Sequence, residues 1–207
     1  GRSSATSQPC GKRLSESAGV SADMKVLLDA CGIYPTVMRE MLLGVAKAGL
    51  YAPLWSDRIL EEWARAAGKL GAEGAAVARG DAVLMQASFP RATVRVNAGL
   101  EQRLWLPDPN DIHVLAAAIA GSADVIVTAN AKDFPRGLLA EEGLSRADPD
   151  GFLLGLFEAN PEIVFGVAET VRSKAEQLSG EAWTVRRLMK KARLSRLGKA
   201  LGARGGI

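Results

Sequence analysis

Histidine is nearly absent from this chain of 207 residues: His113 is the only one, and cysteine appears only as Cys10 and Cys31. A mechanism built on a histidine base beside a serine or cysteine nucleophile would therefore rest on a single ring. Two cysteines so far apart give neither a metal-ligand spacing nor a disulfide framework, which points to a reducing cytoplasm. Aromatic residues are scarce at 5%, and the four tryptophans fall at helical or strand-end positions, where core packing is expected rather than a stacking platform. The longest apolar runs, such as Val114 to Ala120, fall well short of the roughly 18 residues a membrane helix needs, so no membrane association is expected. The Ser-, Ala- and Gly-rich stretch Gly1 to Asp23 lacks the apolar centre of roughly 7 to 15 residues that marks a secretory signal, and reads as a disordered extension.

What is present is a composition 48% hydrophobic, enough to bury a sizeable core in one domain plus an appendage. The formal charge of +3 is unevenly spread. Residues 24–151 carry 13 basic against 16 acidic groups, whereas residues 152–207 carry 10 against 5, all the basic ones at or beyond Arg172. The expected organisation is an extension over 1–23, a main folded domain over 24–153 and a basic helical extension over 154–207.

Lys25 to Ala30 is a short apolar run ending in an acid and reads as a buried parallel strand. Met38, Met41, Leu42 and Val45 recur at helical spacing up to Gly49, and Leu50 to Trp55 is a second strand candidate. Ser56 caps a helix with Ile59, Leu60 and Trp63 on one face. Between Ala66 and Arg103 the pattern is weak, with a helix over Asp81 to Ser88 and a strand over Val94 to Val96. Asp108 then caps a helix with Pro109 at its first position, and Ala123 to Thr128 is another apolar strand. Such alternation predicts a three-layer α/β/α sandwich on a mostly parallel sheet. Asp148-Pro149-Asp150-Gly151 reads as a turn-like boundary before two helices, one from Asn160 and one from about Glu181.

Open parallel sheets bind ligands beyond the carboxyl ends of their strands. Asp29 ends the first strand, Asn130 and Asp133 follow the strand ending at Thr128, and Asp111 lies in the first turn of the helix before it. Carboxylates converging without basic partners repel one another, and a hard divalent cation such as Mg²⁺ or Mn²⁺ makes such a cluster stable. A cation so held activates water and neutralises charge on a phosphate under in-line attack.

The runs MKVLLDACGIYPTVMREMLL, WSDRILEEWAR and LPDPNDIHVLAAAIAGSADVIVTANAKDFP, with a closing PDGFL, resemble bacterial PIN-domain proteins, including the VapC-type toxins of toxin-antitoxin modules. The likeness covers roughly 24–153 and is most specific over 106–135, while the basic tail is similar to an extension of one branch. It implies a Mg²⁺- or Mn²⁺-dependent endoribonuclease acting on RNA, a homodimer and, in the toxin case, a small antitoxin partner. Carried over by residue, it makes Asp29, Glu62, Asp111 and Asp133 the catalytic metal-binding set, with Glu62 rather than Glu61 matching the S-x-x-I-L-x-E pattern. Either Asn130 or Asp133 meets the metal. Cys31 departs from the pattern, since many relatives carry asparagine or another small polar residue there.

Each of these residues also has a structural reading. Asp111 could simply complement the helix dipole, Glu62 could be a solvated surface charge, and Asp133 could be a turn residue. An acid closing an apolar strand, as Asp29 does, is costly unless paired or metal-bound. His113 reads as a buried or capping residue. Arg39 would reach phosphate or pair with an acid. Arg186, Arg187, Lys190 and Lys191 would track a nucleic-acid backbone or form a solvated face. Two rival functions stand beside the nuclease: a PIN-fold nucleic-acid binder that does not cleave, and a small-molecule phosphate hydrolase.

Overall fold

The computed structural model describes residues 23–69 and 71–204, so the expected N-terminal extension lies, apart from Asp23, outside the described residues. Strands β1 (Lys25–Leu28), β2 (Ala52–Leu54), β3 (Val125–Val127) and β4 (Ser145–Ala147) form a parallel sheet in the order β2-β1-β3-β4. β1 is central, with Leu27 opposite Leu54 on one side and Ile126 on the other. Its Val26, Leu27 and Leu28 are fully buried, as expected for a parallel strand covered on both faces, which is why it reads as an unbroken apolar run.

Between β1 and β2 lie α1 (Ala30–Ile33) and α2 (Thr36–Lys47), the latter ended by Gly49 at φ +84°. After β2 come α3 (Asp57–Gly68), whose N-cap Ser56 accepts from the Ile59 amide, then α4 (Ala72–Ser88) and α5 (Ala98–Gln102). A 3₁₀ turn over Pro109–Asp111 feeds α6 (Ile112–Ala120), whose Val114 to Ala118 are buried against the sheet's core. β3 is followed by a second 3₁₀ turn (Ala131–Asp133) and α7 (Arg136–Glu141). Beyond β4 run α8 (Pro149–Ala159), α9 (Pro161–Ser179), α10 (Val185–Lys191) and α11 (Ser195–Arg204). The α/β/α sandwich with added C-terminal helices is the expected architecture, and no described helix is long and apolar enough to cross a membrane.

Several local expectations are corrected. Val94 to Val96 forms no strand; the nearby Thr93 makes only an isolated bridge to Trp55. The Asp148 to Gly151 stretch is not a boundary turn but the start of α8, with Asp148 as N-cap accepting from the Gly151 amide and Pro149 at the first position. The 153/154 junction thus falls inside α8. The helix expected from about Glu181 is two helices, because Arg193 adopts φ +63° between them. Among the tryptophans, Trp55, Trp63 and Trp183 are buried, but Trp105 is 66% exposed.

The C-terminal helices share the hydrophobic core with the sheet. Leu153, Leu156, Leu188, Met189, Leu194, Leu197 and Leu201 are buried in the same cluster as β1 and β3. Gly44 on α2 lies so close to Val167 on α9 that a Cβ there would come within 2.5 Å of Val167 Cγ1, so glycine sets how near the two helices approach. Asp150 reaches across from α8 to accept from the Arg196 and Leu197 amides at 2.9 Å each, capping the first turn of α11.

Candidate metal centre

The sheet topology brings the carboxyl ends of β1 and β3 side by side, and the acids gather beyond them. Asp29 follows β1 directly, its amide bonded to Val127 O at 3.1 Å. The carboxylate is buried, and Oδ2 accepts from Thr128 Oγ1 at 2.7 Å and from Cys31 Sγ at 2.9 Å. Both bonds fall on one oxygen, so Oδ1 is left for another partner. Burial, reinforced by the neighbouring Asp29 charge and hydrogen bond, pushes the Cys31 thiol up to about 12, so it remains a protonated donor. Cys31 thus holds Asp29 in place of the polar residue expected there.

The tightest group is Asp108, Asp111 and Asp133, which each offer an oxygen within 4.8 Å of the others'. The chain builds it from two turns. Asp108 N-caps the 3₁₀ turn, its Oδ1 accepting from the amide and side chain of Asn110, and Asp111 sits one turn further on at the start of α6. Asp133 closes the turn after β3, and Asn130 donates its side-chain amide to Asp133 Oδ2. The geometry therefore brings Asp133 into the acid group and places Asn130 behind it.

Burial first, then the charges of Asp29, Asp108, Asp133 and Glu62, raise Asp111 to about 6. Four other carboxylates thus act on Asp111. Its buried Oδ2 has no hydrogen-bond partner, and among the described residues no lysine or arginine pairs with Asp29, Asp108, Asp111 or Asp133. An unpaired buried oxygen facing an all-oxygen, like-charged set is the environment that a hard divalent cation satisfies, so the residues present fit such an ion.

Glu62, on α3, borders this group. Burial raises its pKa despite Arg58, whose Nε lies 3.4 Å from Oε1, and the Asp29 charge adds to the rise. Glu61 turns the other way, to Arg65 and Arg79. His113 Nε2 lies 2.9 Å from Glu62 Oε1 without hydrogen-bond alignment, and both ring nitrogens are unpartnered. Burial, with Arg58 adding, lowers His113 to about 4, so the ring is neutral near pH 7.

Arg39 does not join the site. It is buried, with Nη1 donating to Ile33 O at 3.0 Å, Nη2 to Asp81 at 2.9 Å and the guanidinium 4.6 Å from the Trp63 ring centre. Of the two readings given for Arg39, contact with phosphate or pairing with an acid, the structure realises the pairing, with Asp81, and the buried guanidinium ties α2 to α1, α3 and α4. On α10, Arg187 and Lys191 lie over Trp183 at 4.7 Å each, while Arg186 lays its methylenes on Gly202 of α11. Lys190 is exposed. Asp108 is the acid that sequence reasoning took only as a cap; its spacing of three from Asp111 across Pro109 was the one available signal.

A family model described as PIN domain matches residues 23–132, just over half of the chain. The chain belongs to the PIN-domain family, whose fold is that of nucleases and generally depends on divalent metal. No curated protein and no solved structure matches it.

Proposed function

We propose that this protein is a metal-dependent endoribonuclease that hydrolyses RNA phosphodiester bonds at the cluster around Asp111. The observation that carries the reading is the convergence of Asp29, Asp108, Asp111 and Asp133 with no basic partner and with a buried, unpartnered Asp111 oxygen. These four would hold a Mg²⁺ or Mn²⁺ ion. When bound, such an ion supplies Lewis-acid polarisation of a phosphate oxygen and makes water more acidic. The chain's part is positional: Thr128 and Cys31 fix Asp29, Asn130 fixes Asp133, and Glu62, its pKa raised, stands at the edge to accept a proton. The gathering of Asp108, Asp111 and Asp133 beside Asp29, with no basic partner, favours cleavage over the non-cleaving binder.

The choice of RNA rests on the likeness to bacterial toxin ribonucleases. In the toxin form of this reading the protein is a homodimer and a small antitoxin covers the cleft. The test is cleavage of a mixed RNA pool and a matched DNA pool with Mn²⁺ by the parent, Asp29→Asn and Asp111→Asn. Cleavage of RNA by the parent, abolished in both variants and by chelation, supports the proposal. RNA left intact by the parent under Mg²⁺ and Mn²⁺ alike sinks it.

A further inference from the structure

Beside the acid cluster is a hollow of about 700 Å³ that the carboxylates themselves do not line. Its inner wall is Cys31 and Ala129, and these two residues are joined to the cluster: the Ala129 amide donates to Cys31 Sγ at 3.2 Å, and Cys31 Sγ donates to Asp29. Its outer wall carries Lys69 from the end of α3 with Lys191 and Arg193 from the end of α10, and Tyr34 contributes a half-buried ring. Lys69 and Arg193 are exposed and make no side-chain hydrogen bond or ion pair among the described residues. Lys191 is held over Trp183, which leaves its ammonium hydrogens free to donate.

Arg193 gives a second, independent observation. It occupies the position after the cap of α10 at φ +63°, where glycine is the residue without strain. An arginine there goes against the backbone preference of that position, and the same residue lines the hollow with an exposed side chain that has no partner among the described residues.

We infer that this hollow is the subsite for the nucleotide flanking the scissile phosphate, in which Lys69, Lys191 and Arg193 hold the neighbouring phosphate and Tyr34 meets its base. This deepens the nuclease reading and rests on its choice of substrate. The acid centre alone repels a polyanion, so cationic side chains on the hollow that Cys31 joins to Asp29 would hold the strand beside it. The basic C-terminal helices then enter the site through their last turn and not as a diffuse charged face.

The test uses the full chain carrying Lys69→Gln with Arg193→Gly, beside a charge-matched Arg91→Gln/Lys199→Gln control. Arg193→Gly relieves backbone strain, so thermal stability is expected to hold or rise, and lost binding is not lost folding. Anisotropy of a labelled single-stranded RNA of about ten nucleotides, in the Asp111→Asn background, is expected to show several-fold weaker binding. The log–log salt slope becomes shallower by about 0.7 for each phosphate contact removed, with the control unchanged. Affinity and slope equal to the parent's overturn the subsite, even if parallel Mn²⁺ assays show RNA cleaved and the nuclease reading stands. Binding that depends on Lys69 and Arg193 without any cleavage keeps the subsite and removes the nuclease. A parent that binds no RNA removes both.

Discussion

Asp111 is where the chemistry of single side chains is most exposed to measurement. Its pKa, raised to about 6 from a usual 3.8, means that the metal-free fold retains a proton there which the unfolded chain gives up. The sign follows: this contribution to stability is fully present below pH 3.8 and is lost as pH rises through about 6. A divalent ion must displace that proton, so the rise in melting temperature on adding Mn²⁺ should be small at pH 5 and large at pH 8, as read by thermal-shift titration. Asp111→Asn removes the repulsion. At pH 8 without metal it should be about 1–2 kcal/mol more stable than the parent, after discounting the shift for solvent screening, and it should no longer respond to Mn²⁺. Asp29, Asp111 and Asp133 were legible in the sequence because each follows an apolar strand or opens an apolar helix. Asp108 was not, because a capping carboxylate and a metal-binding one look alike until the fold shows which oxygens are spent. Arg39 was left between phosphate and an acid for a related reason: a long cationic side chain on a helix says nothing of whether Trp63 and Asp81 wait for it.

Between elements, the clasp of α8 on α11 rests on two acids. Asp150 supplies the cap that α11 lacks in its own preceding residues, and Arg196 pairs with both Asp150 and Asp148. Asp150→Ala should cost about 1–2 kcal/mol, the usual loss for a helix cap, measured by urea unfolding, with faster hydrogen exchange confined to the first turn of α11. Burial raises the Asp148 carboxyl, but bonds from Arg196 and the Gly151 amide outweigh it, so its pKa lies below the usual carboxylate value of 3.8. The stability this acid contributes is therefore present above pH 3.8 and disappears as pH falls through its lower folded value. The strongly periodic elements, β1, α2, α3, α6 and β3, could be seen in the sequence. β4 and α7 could not: Ser145–Ala147 has no apolar pattern, and its strand exists because β3 offers it a parallel edge. The aspartates at 148 and 150 read as a turn because proline and glycine punctuate helix starts and turns alike.

Over the whole molecule, the acid-rich residues 24–151 and the basic tail are bound into one core. Leu188, Met189, Leu194, Leu197 and Leu201 each bury a side chain worth about 1.5–3 kcal/mol, a sum comparable with the net stability of a domain. A chain ending at residue 184 should lose its cooperative thermal transition and bind a hydrophobic dye, rather than persist as a stable sheet domain. The layered α/β architecture was legible from alternating strands and helices, while the docking of the tail was not, since nothing in residues 185–204 names the face of α8 that receives them. One feature of the sheet reaches further still. Asp29 follows β1 directly, Asp133 closes the turn after β3, and these strands are neighbours held by a few amide bonds. A slip of one residue between them, about 3.3 Å, exceeds what oxygen-to-cation distances tolerate. A divalent ion held among these acids would rivet the two central strands in register, and a chelator that withdrew it would loosen the middle of the sheet before its edges.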